Sequence, residues 1–347
     1  MTDPSARIPI FVLTGFLGSG KTSLLNALLK DPAFRDTAVI VNEFGDIGLD
    51  HLLIASAKEN TILLDAGCLC CAVVDSLKET LLDLLHRRAR SDLPMFRRIV
   101  VETTGLADPG PILQQLTRDP LVAHAYRLRG VICTIDALFG EDQIARHPEA
   151  AAQAAVADWL IVTKTDLLGG VPPPSLTGLL RSLNPSADIR QVVDGASLLA
   201  GDSETIPWLN DIGVSHGEPA HDHAISSQSF WLDRPVTWAG LAAWTAWMRQ
   251  TAGADLLRSK GLMNVAGVGG PVVLHGVRDR FELTRAPAWP DEERRSRLVI
   301  IGRNLDRAEL QAGLGWLYAE AGTPPPALFD GLPPPLPPSA IGSSHAI

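Results

Sequence analysis

The chain has 347 residues, 46% of them hydrophobic and 20% charged, and carries a net charge of −9 at pH 7. That length exceeds what one hydrophobic core usually serves, so two domains are expected. The acidic balance excludes the basic stripe that neutralising nucleic-acid phosphates requires. No segment approaches the roughly 18 uninterrupted apolar residues of a spanning helix, so neither nucleic acid nor membrane is expected as a partner.

The first apolar run, RIPIFVLTG, is interrupted by Pro9 and leads into a Gly-rich loop, not a cleavage site, so it reads as a strand and the protein as cytoplasmic. Further runs follow at TAVIVNE, TILLDAG, RRIVVETTG, RGVICTIDA and DWLIVTKTD, all within residues 7–193. Strands apolar on both sides imply a sheet covered on both faces, hence parallel strands joined by helical crossovers. The candidate crossovers are Lys21–Lys30, Val73–Arg90, Pro111–Leu116 and Glu149–Ala157. Functional residues should then collect at the carboxyl ends of the strands. Those ends carry Gly15–Thr22, Asn42–Asp46, Cys68–Cys71, Glu102–Gly105 and Thr163–Asp166.

Residues 198–224 lose the strand pattern and gain Gly, Pro and acids, which reads as a linker. Beyond it, AISSQSFWLD, the Trp-rich helix TWAGLAAWTAWMRQ, GPVVLHGVRDRFEL and SRLVIIGRNL mix strands and helix without strict alternation. The expected architecture is an α/β P-loop NTPase domain over 1–197, with a mostly parallel sheet covered by helices, and a small α+β domain over 225–320. A Pro-rich, extended or disordered tail is expected over 321–347.

The first motif is GFLGSGKT, which fits G-x-x-x-x-G-K-S/T with Gly15, Gly20, Lys21 and Thr22 at the fixed positions. Glycines let backbone N–H groups wrap phosphate oxygens, the helix N-terminus adds a favourable dipole, Lys21 reaches the outer phosphates and the Thr22 hydroxyl ligates Mg²⁺. The nucleotide-binding set is Gly15, Gly18, Ser19, Gly20, Lys21, Thr22 and Ser23. At the end of RIVVETTG, Glu102 stands where phosphate-binding folds place an acid for the Mg²⁺ shell, against the plain alternative of a solvated strand-end carboxylate. Lys21 and Glu102 are the candidate catalytic residues.

The later stretch TKTD matches the N/T-K-x-D pattern of guanine readers. Guanine presents a ring N–H and an exocyclic amine, and one carboxylate, here Asp166, accepts from both, whereas adenine lacks that pair. The stem of Lys164 can lie along the base while its charge stays wet. The plain alternative is a strand-to-helix turn with a capping Asp; the motif favours GTP over ATP.

Three of the four cysteines stand in GCLCC, as Cys68, Cys70 and Cys71. In a reducing compartment such a cluster suits a metal or a catalytic task better than a disulfide. Thiolates select Zn²⁺-like ions, and a set of three leaves an open fourth position, as a site that loads and unloads would. A redox switch and inert packing are the alternatives; Cys133, inside an apolar run, reads as inert. Glu43 or Asp46 could touch the metal or the Mg²⁺ sphere, or be surface acids. His216, His221 and His223 could recruit metal weakly or merely decorate a polar linker, and Trp244 and Trp247 read as core at helical spacing.

Taken together and in order, GFLGSGKT, VNEFGDIGLD, GCLCC, ETTGLADP and TKTD resemble the CobW-type GTPases, and LLRSKGLMNV, VVLHGVRDRFE and LVIIGRN resemble that family's C-terminal domain. The resemblance implies a GTP-hydrolysing metallochaperone that delivers Zn²⁺, or Co²⁺, to a client metalloprotein. It implies metal at Cys68, Cys70 and Cys71, a P-loop with Lys21 and Thr22 on phosphate and Mg²⁺, a Walker-B-like acid at Glu102 and a guanine reader at Lys164 with Asp166. Two features depart from the family's pattern. Thr163 replaces the commoner Asn, and the linker lacks the long His tract of some members, which argues against bulk metal storage. The rival readings are a P-loop small-molecule kinase and a thiol redox sensor that binds nucleotide.

Overall fold

The computed structural model describes residues 7–42, 62–65, 73–191, 225–286 and 288–320. The chain divides into two compact units, Met1–Pro207 and Trp208–Ile347.

Among the described residues the first unit holds seven strands: β1 (Ile8–Gly15), β2 (Thr37–Asn42), β3 (Ile62–Asp65), β4 (Arg98–Thr103), β5 (Tyr126–Asp136), β6 (Trp159–Thr163) and β7 (Asp188–Arg190). They form one sheet in the order β3-β2-β4-β1-β5-β6-β7, and each pairing is parallel. The crossovers are α1 (Lys21–Lys30), α2 (Val73–Ala89), α3 (Gly110–Arg118), α4 (Pro120–Ala125), α5 (Gly140–Arg146), α6 (Pro148–Val156) and α7 (Pro174–Leu183). The expected P-loop α/β architecture is therefore present. Consecutive residues Ile10 to Leu13, Ile99 to Val101 and Leu160 to Val162 are all buried, because helices cover both faces. A core of Phe11, Leu13, Leu24, Leu25, Leu28, Phe34 and Val100 packs α1 onto the sheet beside β1.

Register keeps the carboxyl ends level. Leu13 pairs with Glu102, Glu102 with Val41, and Val41 with Asp65. Since all seven strands run the same way, every loop that leaves a carboxyl end emerges along one edge. Local chemistry sets the helix starts: Asp119 accepts from the backbone N–H groups of Leu121 and Val122 at the start of α4 and pairs with Lys78 at 2.7 Å. Strand β7 and helices α4, α5 and α7 were not anticipated from sequence: Asp188–Arg190 has no apolar run and α4 and α5 are short, whereas PSLTGLLRSL buries Leu176, Leu180 and Leu183 at helical spacing, a signal that was readable.

The second unit is a five-stranded antiparallel sheet in the order β11-β10-β9-β12-β8. Its strands are β8 (Ile225–Leu232), β9 (Leu256–Met263), β10 (Val272–Val277), β11 (Arg280–Arg285) and β12 (Ser296–Arg303). Helix α8 (Trp238–Thr251) is capped by the Thr237 hydroxyl, which accepts from the Gly240 N–H at 2.8 Å. It packs Leu241, Trp244 and Met248 against Phe230, Leu298 and Ile300. A Cβ at Gly240 would strike the carbonyl of Leu317, so only glycine permits that approach. Helix α9 (Arg307–Gly313) closes the unit. Trp244 is fully buried, as its helical spacing suggested, and its ring meets Phe281 edge-on at 5.7 Å. The other face of the sheet is buried too. Across it Ser229 pairs with Val299, Val299 with Lys260 and Lys260 with His275, and Lys260 is 0% exposed.

No helix among the described residues is long and apolar enough to cross a membrane.

Candidate functional site

At the end of β1 the backbone turns into a loop that only glycines can follow: Gly15, Gly18 and Gly20 have φ of 141°, 69° and 93°. A Cβ on Gly15 would collide with the Thr134 hydroxyl, which sits directly behind it. Ser19 is buried and shares a 2.7 Å hydrogen bond with that same Thr134 Oγ1, so β5 braces the loop from beneath. Gly20, left-handed at the head of α1, supplies no side-chain cap. The first N–H groups of α1 therefore keep their donor capacity and the positive end of its dipole faces the loop, an arrangement suited to anions.

Lys21 folds back so that its ammonium donates to the carbonyls of Gly15 at 3.0 Å and Phe16 at 3.3 Å. These are neutral acceptors, weaker partners for an ammonium than the charge-assisted bonds an anion would offer. In the first turn of α1, the Thr22 hydroxyl donates to Glu102 Oε1 at 3.0 Å. Glu102 is 5% exposed at the end of β4. A hydroxyl and a carboxylate side by side make an all-oxygen donor set, which fits a hard cation such as Mg²⁺. Ser23 is exposed on the outer side of α1.

The loop after β4 lies against the phosphate loop. A Cβ on Gly105 would come within 2.7 Å of the Leu17 backbone nitrogen. The buried side chain of Gln153, from α6, donates to the carbonyls of Gly105 at 3.1 Å and Ala107 at 3.0 Å and pins this loop in place. Phe16 also stacks on His147, with centroids 4.5 Å apart.

At the end of β6, Thr163 donates to the Ser19 carbonyl at 2.7 Å and also lies 3.1 Å from the Ile135 carbonyl. Thr in place of the commoner Asn thus ties this turn directly to the phosphate loop. Lys164 adopts the left-handed conformation at φ 57°. Its ammonium lies 2.6 Å from Asp136 Oδ2 at the end of β5. Asp166 stands exposed two residues further on.

The structure therefore brings Gly15, Gly18, Ser19, Gly20, Lys21, Thr22, Glu102, Lys164 and Asp166 to one edge of one sheet. Sequence reasoning missed Thr134, Asp136 and Gln153. Of these, Asp136 carried a usable signal, because it is a polar residue closing an apolar strand at the functional edge. Glu43, Asp46, Cys68, Cys70, Cys71, His216, His221 and His223 lie outside the described residues. Among the described residues no group of three or more His, Cys, Asp or Glu gathers to hold a metal. Cys133 is fully buried, and burial pushes its thiol up to about 12, which leaves it unreactive at neutral pH.

Comparison with known proteins agrees with this geometry. The family described as CobW/HypB/UreG, nucleotide-binding domain, matches residues 9–191, and the Cobalamin synthesis protein cobW C-terminal domain matches 225–316. The chain is 32% identical over 316 residues to the zinc chaperone YjiA of Escherichia coli, covering 89% of this chain and 98% of that one. It is 28% identical over 348 residues to the zinc-regulated GTPase metalloprotein activator 1 of Schizosaccharomyces pombe, covering 86% and 83% of the two chains. The crystal structure of Zn(II)-bound YjiA GTPase from E. coli superposes with a TM-score of 0.66 at 27% identity, over 90% of this chain and 99% of that one. With a family model matching residues 9–191, its C-terminal companion matching 225–316 and a relative aligned along nearly its whole length, the chain belongs to the CobW/HypB/UreG family.

Proposed function

We propose that this protein is a GTPase metallochaperone: it binds GTP at the edge described above, holds Zn²⁺ as cargo on Cys68, Cys70 and Cys71, and passes the ion to a client metalloprotein in the cytoplasm. Co²⁺ is the second candidate cargo. Its nucleotide domain spans 1–197 and its C-terminal domain 225–320. The observation that carries the reading is the convergence of Lys21, the Thr22–Glu102 pair at 3.0 Å and the Thr163–Asp166 turn on one edge. The names of its relatives, a zinc chaperone and a zinc-regulated GTPase activator, supply the cargo.

In this reading Lys21 gives up the Gly15 and Phe16 carbonyls for phosphate oxygens, and the uncapped N–H groups of α1 accept the same charge. Asp166 accepts the two guanine donors. Thr22 and Glu102 would hold Mg²⁺, which neutralises charge developing on the transferred phosphoryl group. No glutamine follows Glu102 to orient the attacking water, so intrinsic turnover is slow.

Coupling to the cargo follows from topology. Strand β3 ends at Asp65, level with Glu102 across β2. Neighbouring strands lie roughly 4.8 Å apart, so the chain leaves β3 about 10 Å from the acid that faces Thr22. Cys68 comes three residues later, and Glu43 directly follows β2 between the two. On this reading a change at the γ-phosphate would reach the cysteines through the chain that follows β3.

The test is reciprocal titration of reduced protein with Zn²⁺ and GTP. About one Zn²⁺ per chain should bind, Cys70→Ser or Cys71→Ser should remove it while sparing GTP, and any factor by which GTP changes metal affinity must reappear in the effect of metal on GTP. Stoichiometric metal without that reciprocity would leave a zinc-binding GTPase that is not nucleotide-gated. ATP bound as tightly as GTP would point to the kinase reading, and a thiol pair that oxidises without retaining metal would point to the redox sensor.

A further inference from the structure

We propose that Asp136 is the positioning residue for base recognition: its buried carboxylate holds the Lys164 ammonium away from the base and away from Asp166, so that the lysine presents its methylene stem to guanine. The inference rests on the reading of Thr163–Asp166 as the guanine turn.

Three observations carry it. First, the Asp136 side chain is 2% exposed and sits 2.6 Å from Lys164 Nζ, whereas the Lys164 side chain is 35% exposed. A carboxylate so deeply buried is costly unless it is paired, so the contact is a firm constraint on Lys164 and not a passing surface pair. Second, the carboxylate is itself immobilised. Its other oxygen accepts from the backbone N–H of Leu138 at 2.8 Å and of Phe139 at 3.4 Å. Third, the frame around the pair is closed. The Ala137 N–H donates to the Thr163 carbonyl at 3.0 Å, Thr163 Oγ1 lies 3.1 Å from the Ile135 carbonyl, and Lys164 is fixed in the left-handed region at φ 57°.

The chemistry follows from charge and reach. Lys164 and Asp166 are two residues apart on one turn, and Asp166 must keep its carboxylate unneutralised to accept from the two guanine donors. A lysine on a flexible stem would otherwise reach for the nearest exposed carboxylate. Asp136 takes the ammonium instead and leaves Asp166 for the base. It also removes the rotamer freedom of a four-carbon stem before nucleotide arrives, so that ordering is not charged against binding.

The experiment measures GTP and ATP affinity in the full chain for the unmodified protein, Asp136→Asn, Lys164→Met and the double variant, with thermal midpoints as a folding control. Asn keeps the acceptor for the Leu138 N–H but loses the charge. We expect Asp136→Asn to lower GTP affinity by roughly tenfold to thirtyfold, the scale of a freed lysine side chain, and to leave ATP affinity within about twofold. The KM for GTP should rise by the same factor, and kcat at saturation should move far less. In the Lys164→Met background Asp136→Asn should add little further loss, because its effect runs through Lys164. If the Asn variant does not fold, the double variant, which strands no buried charge, carries the test. It should then bind GTP as the Lys164→Met variant does and keep most of the GTP over ATP preference, because no ammonium is left to reach Asp166, and loss of that preference relative to Lys164→Met overturns the proposal. An Asp136→Asn protein that binds GTP as the unmodified one does overturns it too, as does an equal loss for GTP and ATP. Absence of any GTP preference in the unmodified protein would instead refute the guanine reading itself.

Discussion

The two sheets bury their polar side chains in different places. In the parallel sheet Thr14, Glu102, Thr103, Thr134 and Asp136 stand at carboxyl ends of β1, β4 and β5, whereas Thr37 opens β2. In the antiparallel sheet Ser227, Ser229, Arg258, Ser259 and Lys260 are buried within the runs of β8 and β9. A polar group at a strand end meets a loop and whatever the loop binds, whereas one in mid-strand lies among its neighbours in the sheet. The first arrangement builds a site, and the second builds a packed surface. Substitutions in the first should change ligand affinity at little cost in stability; in the second they should do the reverse.

That contrast can be broken by experiment, beginning where the effect is largest. Trp244→Ala empties the core of the second unit and should cost about 3–5 kcal/mol of stability, read as a fall in the denaturation midpoint, while the folded fraction binds GTP as before. Lys21→Ala should weaken GTP binding by about 2–5 kcal/mol with the denaturation midpoint nearly unmoved. Its companion Glu102→Ala should retain much of the binding and lose Mg²⁺-dependent hydrolysis; normal turnover in that variant would return Glu102 to the status of an ordinary strand-end acid. Asp166→Asn should cost about 1.5–3 kcal/mol for GTP and nothing for ATP, measured by competition with a fluorescent analogue.

The smallest effect sharpens the comparison from outside the site. The hydrogen bond from Lys78 holds the Asp119 carboxyl below the usual carboxylate range, with the N–H groups of Val122 and Leu121 adding to it. A carboxyl lowered in the folded state contributes stability above its unfolded pKa and loses it as pH falls through the folded value. Asp119→Asn should therefore be less stable than the unmodified protein at neutral pH, by about 1 kcal/mol or less for a half-exposed pair. The two should converge in acid.

Much of the first unit was legible because parallel strands buried on both faces write themselves as unbroken apolar runs, and because phosphate binding needs glycines at fixed spacing. What escaped was held by partners distant in sequence. The Ser19–Thr134 hydrogen bond spans 115 residues and the Thr163–Ser19 bond 144, and no local pattern announces either. Gln153 looked like one polar residue in the alanine-rich helix PEAAAQAAV, and its role is visible only once the loop after β4 lies across it. In the second unit the polar run RSKG interrupts the apolar residues of β9, since a strand whose buried positions include Arg258 and Lys260 defeats reading by hydropathy.

The Thr163 hydroxyl on the Ser19 carbonyl turns the nucleotide edge into a fixed-gauge caliper. One jaw is the glycine loop, the other is the TKTD turn, and the hydrogen bond ties them together at 2.7 Å. A ligand is then measured for length as well as for its two ends. On the proposed reading guanosine would fill one jaw and tripolyphosphate the other, but a mixture of the two would gain nothing from the gauge. Only a molecule that carries both at the right separation makes its second contact at the high effective concentration that a rigid frame provides.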